Sequence, residues 1–464
     1  MLRRIFIIFG YISFVLALVV ITVALVAYGK DYSYDFATHS IIQKGHVIIE
    51  SLPSGVRITK DGKLLNKKTP YQAAYTVGDH VFGLSKDGFW PWQKTLSVAA
   101  GRVVSAGYVL LIPKRLQQTT LDTRAQIVAQ AISKDHKHLA YITGGQDAAL
   151  YTLDLGNKKI VRLYSPKAAT PTEPAEVLHE VMWSDDGSRL LIVSDVGGQP
   201  VHRLAAAGGG SEPVNMTQAF GFNLTGIHFL GSNSRQMYWI SPDGLRRLDT
   251  DAQTVSGVLA DKVTQFWIEN DRVLYVQQTD LGRSLWSLDS HGKKQELIQA
   301  LAESDSYVVA AVRYNGEDEL AVVPSKTKVA TLYSGIYGDT PESRVIARDV
   351  TGASFSPSGR FLALTAGPSI SVYDLEMSSV EQKFVLYTAA DHSGTSMVMT
   401  WFDDFHFLTN RDGVLTLSEY DGQNGVVMGK VYGGFAAYGN TDNHYVILDS
   451  PDVAGVKINE LQIR

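Results

Sequence analysis

The chain lacks cysteine entirely among its 464 residues. It therefore forms no disulfide, zinc–thiolate site or iron–sulfur cluster, and it has no cysteine nucleophile. It also lacks a basic excess, since 42 Lys and Arg stand against 47 Asp and Glu. That balance argues against a nucleic-acid partner. Charged residues make up 19% and hydrophobic residues 45% of the chain, which is typical of a folded protein and not of a disordered one.

The first thirty residues differ from the rest because they contain a long apolar run. Ile5 to Tyr28 carries no charged residue, and a helix of this length, about 36 Å, spans a hydrocarbon core. Arg3 and Arg4 precede the run, so the positive-inside rule predicts a cytoplasmic N-terminus. Residues 1–30 are predicted to be a cytoplasmic tip and a transmembrane signal-anchor in the plasma membrane. The bulk of the chain is then extracytoplasmic. Cleavage as a signal peptide near Gly29 is the alternative.

A polar stalk, residues 31–44, is predicted to lead into a small β module over residues 45–113. Four short motifs follow one another in this module, and Asp61-Gly62 supplies the positive φ of a tight hairpin turn. The motifs are Pro53-Ser54-Gly55-Val56, Asp61-Gly62-Lys63, Lys67-Lys68-Thr69-Pro70 and Lys86-Asp87-Gly88-Phe89. Their order and spacing resemble the PEGA domain, although the first Gly of its Gly-x-Thr-Pro motif is replaced. The resemblance implies a β-sandwich in an extracytoplasmic protein, with no catalytic residue.

Trp90 and Trp92 follow the last of these motifs and are the candidate ligand contacts of the module. Two residues at i and i+2 on a strand face the same side. An exposed pair would form an aromatic platform for sugar rings or for the membrane interface. The alternative is that this face is the core of the sandwich.

The remainder of the chain, residues 115–464, is a repeat array. One pattern, an apolar residue, two variable residues, Leu or Tyr, and often Asp, occurs eight times with a mean spacing of 44 residues. The copies begin at Leu150, Val201, Leu245, Leu285, Val329, Ile370, Leu417 and Ile458. A turn of Ser, Pro, Asp and Gly precedes several copies by roughly 20 residues, between two apolar strands, as expected for a hairpin.

Four strands every 40–45 residues indicate the blades of a β-propeller. The fold class is therefore all-β after one transmembrane helix, with eight blades favoured and seven the alternative. A strand near Thr119–Thr123 is expected to complete the last blade and so close the ring. The segment Phe355–Thr365 resembles the repeats of TolB-type and WD-repeat-like propellers, which implies a binding surface without naming a ligand.

The chemical motifs of enzymes and metal sites are missing from the sequence. There is no Gly-x-Ser-x-Gly elbow, no phosphate-binding loop and no dinucleotide fingerprint, and His179-Glu180 lacks the second His of a zinc helix. The paired carboxylates Asp185-Asp186 and Asp403-Asp404 fall at equivalent turns, so they are interpreted as turn formers. His136 and His138 lack a third ligand. No catalytic, cofactor-binding or metal-binding residue is predicted.

These observations favour a non-enzymatic binding protein of the cell envelope. The helix would anchor it, the PEGA-like module would be a spacer or wall contact, and the propeller would bind a protein, a peptide or a cell-wall polysaccharide. The alternatives are a hydrolase or lyase with its site in the central funnel, and a structural scaffold for membrane complexes.

Overall fold

The chain divides into two units, Met1–Arg115 with Arg464 and Leu116–Ile463. The computed structural model describes residues 2–29, 32–35, 39–222, 224, 226–231, 233–269, 272–289, 291–293, 295–338, 341–380, 384–390, 397–440, 442, 444–453 and 455–464, with the backbone alone at 2–7, 380 and 390.

The apolar N-terminal run forms one helix, Leu2–Gly29. Its segment Ile8–Gly29 is long and apolar enough to cross a membrane, and its side chains are unburied. A helix with apolar residues on every side is stable when lipid surrounds it. This helix is compatible with a membrane anchor or a signal sequence.

The segment expected to be a stalk contains a two-stranded antiparallel hairpin. Tyr32–Asp35 pairs with Ser40–Gln43, joining Tyr32 to Gln43 and Asp35 to Ser40. The polar stalk predicted for residues 31–44 thus contains regular strands, which its composition did not indicate. The alternating Ser, Tyr and Ile residues of the two strands suit a β-ribbon.

The PEGA-like module is a sandwich of two sheets. One sheet has three strands, Tyr71–Tyr75, Gly45–Leu52 and Val103–Leu110 in spatial order, and the other has four, Lys63–Lys68, Arg57–Lys60, Gly78–Ser85 and Trp92–Val98. The core between them contains Ile49, Phe82 and Trp92, all nearly inaccessible. The predicted turn is present, since Asp61 and Gly62 both have positive φ, 48° and 78°.

The second unit is a β-propeller of eight antiparallel four-stranded sheets within its described residues. We call these sheets blades 1 to 8. Blades 1 to 4 contain Ile127–Ile132, His138–Thr143, Ala149–Asp154 and Ile160–Tyr164; Glu176–Trp183, Arg189–Val196, Gln199–Ala206 and Val214–Asn215; His228–Leu230, Asn233–Ser241, Gly244–Asp249 and Thr254–Val255; Val263–Glu269, Arg272–Thr279, Gly282–Leu288 and Gln295–Leu301. Blades 5 to 7 contain Tyr307–Tyr314, Glu317–Pro324, Ala330–Ser334 and Glu342–Ala347; Gly352–Phe355, Phe361–Ala366, Ser369–Asp374 and Leu386–Ala390; Met397–Trp401, His406–Arg411, Val414–Glu419 and Val426–Lys430. Blade 8 contains Tyr438–Gly439, Tyr445–Asp452, Gly455–Gln462 and Gln117–Arg124. Three short helical segments, Gly145–Asp147, Met216–Phe220 and Leu375–Val380, connect strands.

Blade 8 joins the two ends of the propeller. Its outermost strand, Gln117–Arg124, comes from the start of the unit and pairs with Gly455–Gln462 at the end of the chain. The predicted closing strand Thr119–Thr123 lies within it. The eight-bladed prediction is therefore confirmed, and the last repeat forms a full blade instead of being absorbed into a seven-bladed ring.

The repeated sequence pattern marks the third strand of every blade. Where the pattern ends in Asp, the carboxylate caps the following turn, as Asp154 Oδ1 does by accepting the N–H groups of Gly156 and Asn157. Asp249 accepts the N–H groups of Asp251 and Ala252 in the same way. The repeated Asp residues therefore serve the backbone of tight turns.

A buried serine holds the turn between the first and second strands in several blades. Ser184 is inaccessible, and its Oγ accepts the N–H of Arg189 at 3.0 Å. Ser133 accepts the N–H of His138 in blade 1 at the same distance. Each such serine fixes the length of the turn. It therefore sets both where the second strand begins and where the first strand, which lines the central channel, ends.

The two strands that close the ring predict that a buried residue in them contributes more to stability than an exposed residue on an outer strand. Ile458 is fully buried between blades 8 and 1, so Ile458→Ala should lower the free energy of unfolding by about 3 kcal/mol through lost packing and a cavity. Val427, 65% exposed on an outer strand, offers the control Val427→Ala. Urea denaturation followed by tryptophan fluorescence measures both. Equal losses in the two variants would contradict a closure that depends on buried contacts.

Candidate binding site

The first strands of the blades surround the central channel, because first strands of successive blades contact one another. At the end of the channel where these strands finish, blades 1 to 5 line a cavity of about 570 Å³. Pockets that hold small ligands or inserted side chains have volumes of 300–1,000 Å³. The cavity walls contain aromatic rings, aliphatic side chains and four ionisable groups, and the residues discussed below are Lys134, Trp183, Asp185, His228, Trp267 and Glu269.

Trp183 ends the first strand of blade 2 and contributes carbon surface to the cavity. Its indole N–H donates to the carbonyl of Ala131 in blade 1 at 2.9 Å. Trp401 makes the matching bond between blades 7 and 6, donating to the carbonyl of Ser354 at 3.3 Å. Both tryptophans thus make an inter-blade hydrogen bond, which is a structural role. Of the two, Trp183 is the one that lines this cavity.

Lys134 and Asp185 form an ion pair across the mouth of the cavity. The ammonium lies 2.5 Å from Oδ2 of the carboxylate, and the two residues belong to the first turns of blades 1 and 2. Both side chains are exposed, so the pair adds little to stability. Its consequence for the cavity is that the two charges cancel.

Glu269 is the carboxyl whose charge remains uncompensated. It ends the first strand of blade 4, and no hydrogen bond or ion pair reaches its carboxyl from the described residues. Desolvation raises the pKa of Glu269 to about 7; Lys134 opposes this rise and Asp185 adds to it. Both effects place Glu269 within electrostatic reach of the Lys134–Asp185 pair.

His228 supplies a ring to the same cavity from blade 3. Its imidazole lies 5.5 Å from the ring of Phe266, centroid to centroid, in an edge-on arrangement. Desolvation by the channel walls lowers the pKa of His228, and the negative charge of Glu180 partly opposes that change. The imidazole is therefore neutral at pH 7 and leaves the carboxyl of Glu269 without a cationic partner.

The predicted contacts Trp90 and Trp92 occupy different environments in the PEGA unit. Trp92 begins its strand and is only 3% exposed, inside the sandwich core. Trp90 precedes that strand, is 46% exposed, and has the Lys114 ammonium 5.8 Å from its ring centroid. The expectation of one platform made of both rings is thus corrected, because the regular strand starts only at Trp92. Ligand contact by Trp90 stays a prediction.

The paired carboxylates singled out in the sequence lie at turns, as their repetition indicated, and of the histidines His136 lies at a turn while His138 begins a strand. Asp186 accepts from Ser184 Oγ and from the Ser188 N–H, and Asp403 accepts the N–H of His406. His136 contacts the carbonyl of Gly439 through Nδ1. In the part of the chain that the structure describes, no three His, Asp or Glu side chains are grouped so that they could hold a metal ion.

Sequence reasoning missed Glu269, Lys134 and Trp267. A signal for Glu269 was present in the strand register. Ile268 occupies the position of Ile132 in blade 1, so Glu269 occupies that of the turn serine Ser133. A carboxylate at a position where blades 1 and 2 have serine departs from the pattern, but blade 4 lacks a clear copy of the Ser-Asp-Gly turn, so the correspondence was not drawn.

The comparison with protein families identifies the β module of the first unit. Residues 44–112 match the family model of the PEGA domain. None of the curated proteins matches the chain. The PEGA resemblance drawn from four short motifs is therefore confirmed.

Solved structures with similar folds have low identity to this chain. A eukaryotic initiation factor structure is 11% identical, covers 71% of this chain and 95% of its own, and gives a TM-score of 0.45. The β-propeller domain of Cps50 (Swd1) from Myceliophteria thermophila is 12% identical over 76% of this chain and 100% of its own, with a TM-score of 0.39. YCF48 bound to D1 peptide is 13% identical over 75% and 94%, with a TM-score of 0.36. The propeller assignment accordingly rests on the strand pairing itself.

The chain is therefore a β-propeller protein that carries a PEGA domain and an N-terminal helix of membrane-spanning length. This fold is typical of an interaction platform, and the PEGA domain is of an extracytoplasmic type. The likeness of Phe355–Thr365 to TolB-type repeats stays a prediction.

The raised pKa of Glu269 predicts how stability changes with pH. Folding raises the pKa of Glu269 from 4.5 to about 7. The folded state therefore tolerates the protonated carboxyl better than the ionised one, and the protein loses stability as the pH rises from 4.5 through 7. Glu269→Gln should therefore stabilise the protein at pH 8, by about 1–2 kcal/mol after allowance for screening by channel water, and leave it unchanged at pH 4. Urea midpoints at the two pH values measure this. An equal gain in the urea midpoint at both pH values would show that ionisation of Glu269 is not the cause of the stabilisation.

Proposed function

We propose that this chain is a single-pass, membrane-anchored binding protein of the cell envelope, with a cytoplasmic N-terminus and an extracytoplasmic propeller. The PEGA domain acts as a spacer or wall contact. The propeller binds a protein, peptide or glycan partner at the channel cavity, without turning it over. One observation carries this proposal: the cavity combines indole surface with a carboxyl that has no hydrogen-bond or ion-pair partner among the described residues.

The character of the cavity supports binding over catalysis. Lys134 and Asp185 are paired with each other, and the ring contact of His228 recorded among the described residues is with the aromatic Phe266. General acid–base catalysis needs a positioned pair of groups within hydrogen-bond reach of one reacting atom. Aromatic rings and one free charge are instead the features by which buried parts of a partner are anchored at an interface.

Photo-crosslinking in membranes tests the binding site. We expect a photoreactive phenylalanine analogue replacing Val309, which lines the cavity, to form a discrete adduct with an envelope component. The control places the same analogue at Leu281, which is fully exposed on a turn of blade 4. A partner bound in the cavity lies within reach of the first position and outside reach of the second. Identical adduct patterns at both positions, or none at Val309, would rule out the cavity as the binding site.

The missing cysteines provide a clean test of orientation. Leu281→Cys introduces a single thiol into a chain that has none, on an exposed turn of the propeller. We expect a membrane-impermeant maleimide to label it in intact cells. Leu2→Cys, before the helix, should be labelled only after permeabilisation, because the positive-inside rule places that end in the cytoplasm. The reverse pattern would invert the orientation, and a mature chain without residue 2 would indicate a cleaved signal peptide.

A further inference from the structure

The charges around Glu269 set the kind of group that the cavity can accept. Blade 1 contributes Lys134, blade 2 contributes Asp185 and Glu180, and blade 3 contributes the neutral His228. Lys134 is held by Asp185 at 2.5 Å. Ionised Glu269 therefore gives the cavity a net negative charge, and Glu180 nearby in the channel adds to it.

The nearest arginine in sequence is engaged elsewhere. Arg272 pairs with Glu269 across the blade 4 hairpin, yet its guanidinium lies 3.9 Å from the ring centroid of Tyr337 and 3.4 Å from Glu296 Oε2. Blade 5 contributes only the aliphatic Val309 to the cavity lining. Among the described residues, the cation that acts on Glu269 is therefore Lys134, whose ammonium is already paired with Asp185.

The indole rings add a second attraction for a cation. Trp183 uses its N–H in the bond to Ala131, so its remaining interactions with a ligand are those of the ring. Trp267 packs partly against the core between blades 4 and 5 and lines the same cavity. Indole is the side chain that attracts cations best through its π face, and the attraction grows where water is displaced.

We propose that the cavity binds a lysine or arginine side chain of a peptide or protein partner, with its charge at Glu269 and its aliphatic stem against Trp183 and Trp267. This rests on the proposed function, of which it names the partner chemistry. The volume of about 570 Å³ accommodates such a side chain and its flanking peptide groups. An anionic glycan or nucleotide is disfavoured, because it would meet Glu269 and Glu180.

The pH dependence of binding follows from the burial of Glu269. The carboxylate is the form that attracts a cation, and with a pKa of about 7 its population rises about 30-fold between pH 5.5 and pH 8.5. Protonation of His228 at low pH would repel the ligand as well, so both groups change the affinity in the same direction. The other charged groups around these two are Lys134, Asp185 and Glu180.

Calorimetry on the full chain in detergent micelles tests the proposal with two synthetic probes, the pentapeptides Gly-Gly-Lys-Gly-Gly and Gly-Gly-norleucine-Gly-Gly. We expect the lysine peptide to bind at least 10-fold more tightly at pH 8, since the norleucine peptide lacks the charge. Glu269→Gln should remove that preference and flatten the pH profile. Equal affinity for the two probes, or a lysine preference that survives in Glu269→Gln, would overturn the proposal.

Asp449 and Trp401 provide matched controls. Asp449 is 1% exposed, its carboxyl oxygens have no hydrogen-bond partner, and burial raises its pKa to about 7 as well. Asp449→Asn should therefore change stability with pH and leave peptide binding intact. Trp401→Leu loses an inter-blade hydrogen bond equivalent to the one that Trp183→Leu loses, but of the two side chains it is Trp183 that lines the cavity. Only Trp183→Leu should therefore weaken binding of the lysine peptide.

The outcome also separates this proposal from the proposed function. If neither peptide binds at millimolar concentration while the Val309 photo-adduct forms, the cavity binds a partner by other chemistry and the cationic assignment is wrong. If the adduct is also absent, the proposed function fails with it.

Discussion

The structure of the second unit depends on one set of backbone hydrogen bonds, those between Gln117–Arg124 and Gly455–Gln462. In a chain without cysteine, covalent cross-links cannot hold the two ends together, so strand pairing and packing must do so. Side chains reinforce the junction: Tyr141 and Arg124 both donate to Asp122, and Lys158 in blade 1 pairs with Glu460 in blade 8. If this junction opened, the first strands would no longer converge, and the cavity that five blades line would be lost.

The cavity shows how a repeat architecture can create a unique site. Equivalent turns use the same serine and aspartate hydrogen bonds, and these bonds only place the strand ends. The residues that then occupy those ends differ from blade to blade, with an indole in blade 2 and a carboxyl in blade 4. Desolvating that half-buried carboxyl with no partner among the described residues costs stability. Such a cost is consistent with a site kept for a ligand, in agreement with the function proposed above.

Local patterns in the sequence were sufficient for most of the fold. The spacing of the apolar-x-x-Leu/Tyr pattern, followed by Asp in five of its eight copies, identified the third strand of every blade, because strand period and turn capping are properties of a few adjacent residues. Four short motifs identified the PEGA domain. The paired strands Tyr32–Asp35 and Ser40–Gln43 were missed because their polar composition is also that of a linker. The sequence left open whether Trp90 and Trp92 form a surface or the core, because the position at which a strand begins depends on its partner strand.

The sequence alone determined the membrane-length helix, the absence of cross-links, the repeat number and the strand that closes the ring. Tertiary structure alone decided which side chains share a cavity. Lys134, Asp185 and Glu269 lie in three different blades, and their proximity comes from the convergence of first strands at the channel. The raised pKa of Glu269 likewise comes from desolvation by residues distant in sequence. No local pattern encodes it, because burial is a property of the assembled ring.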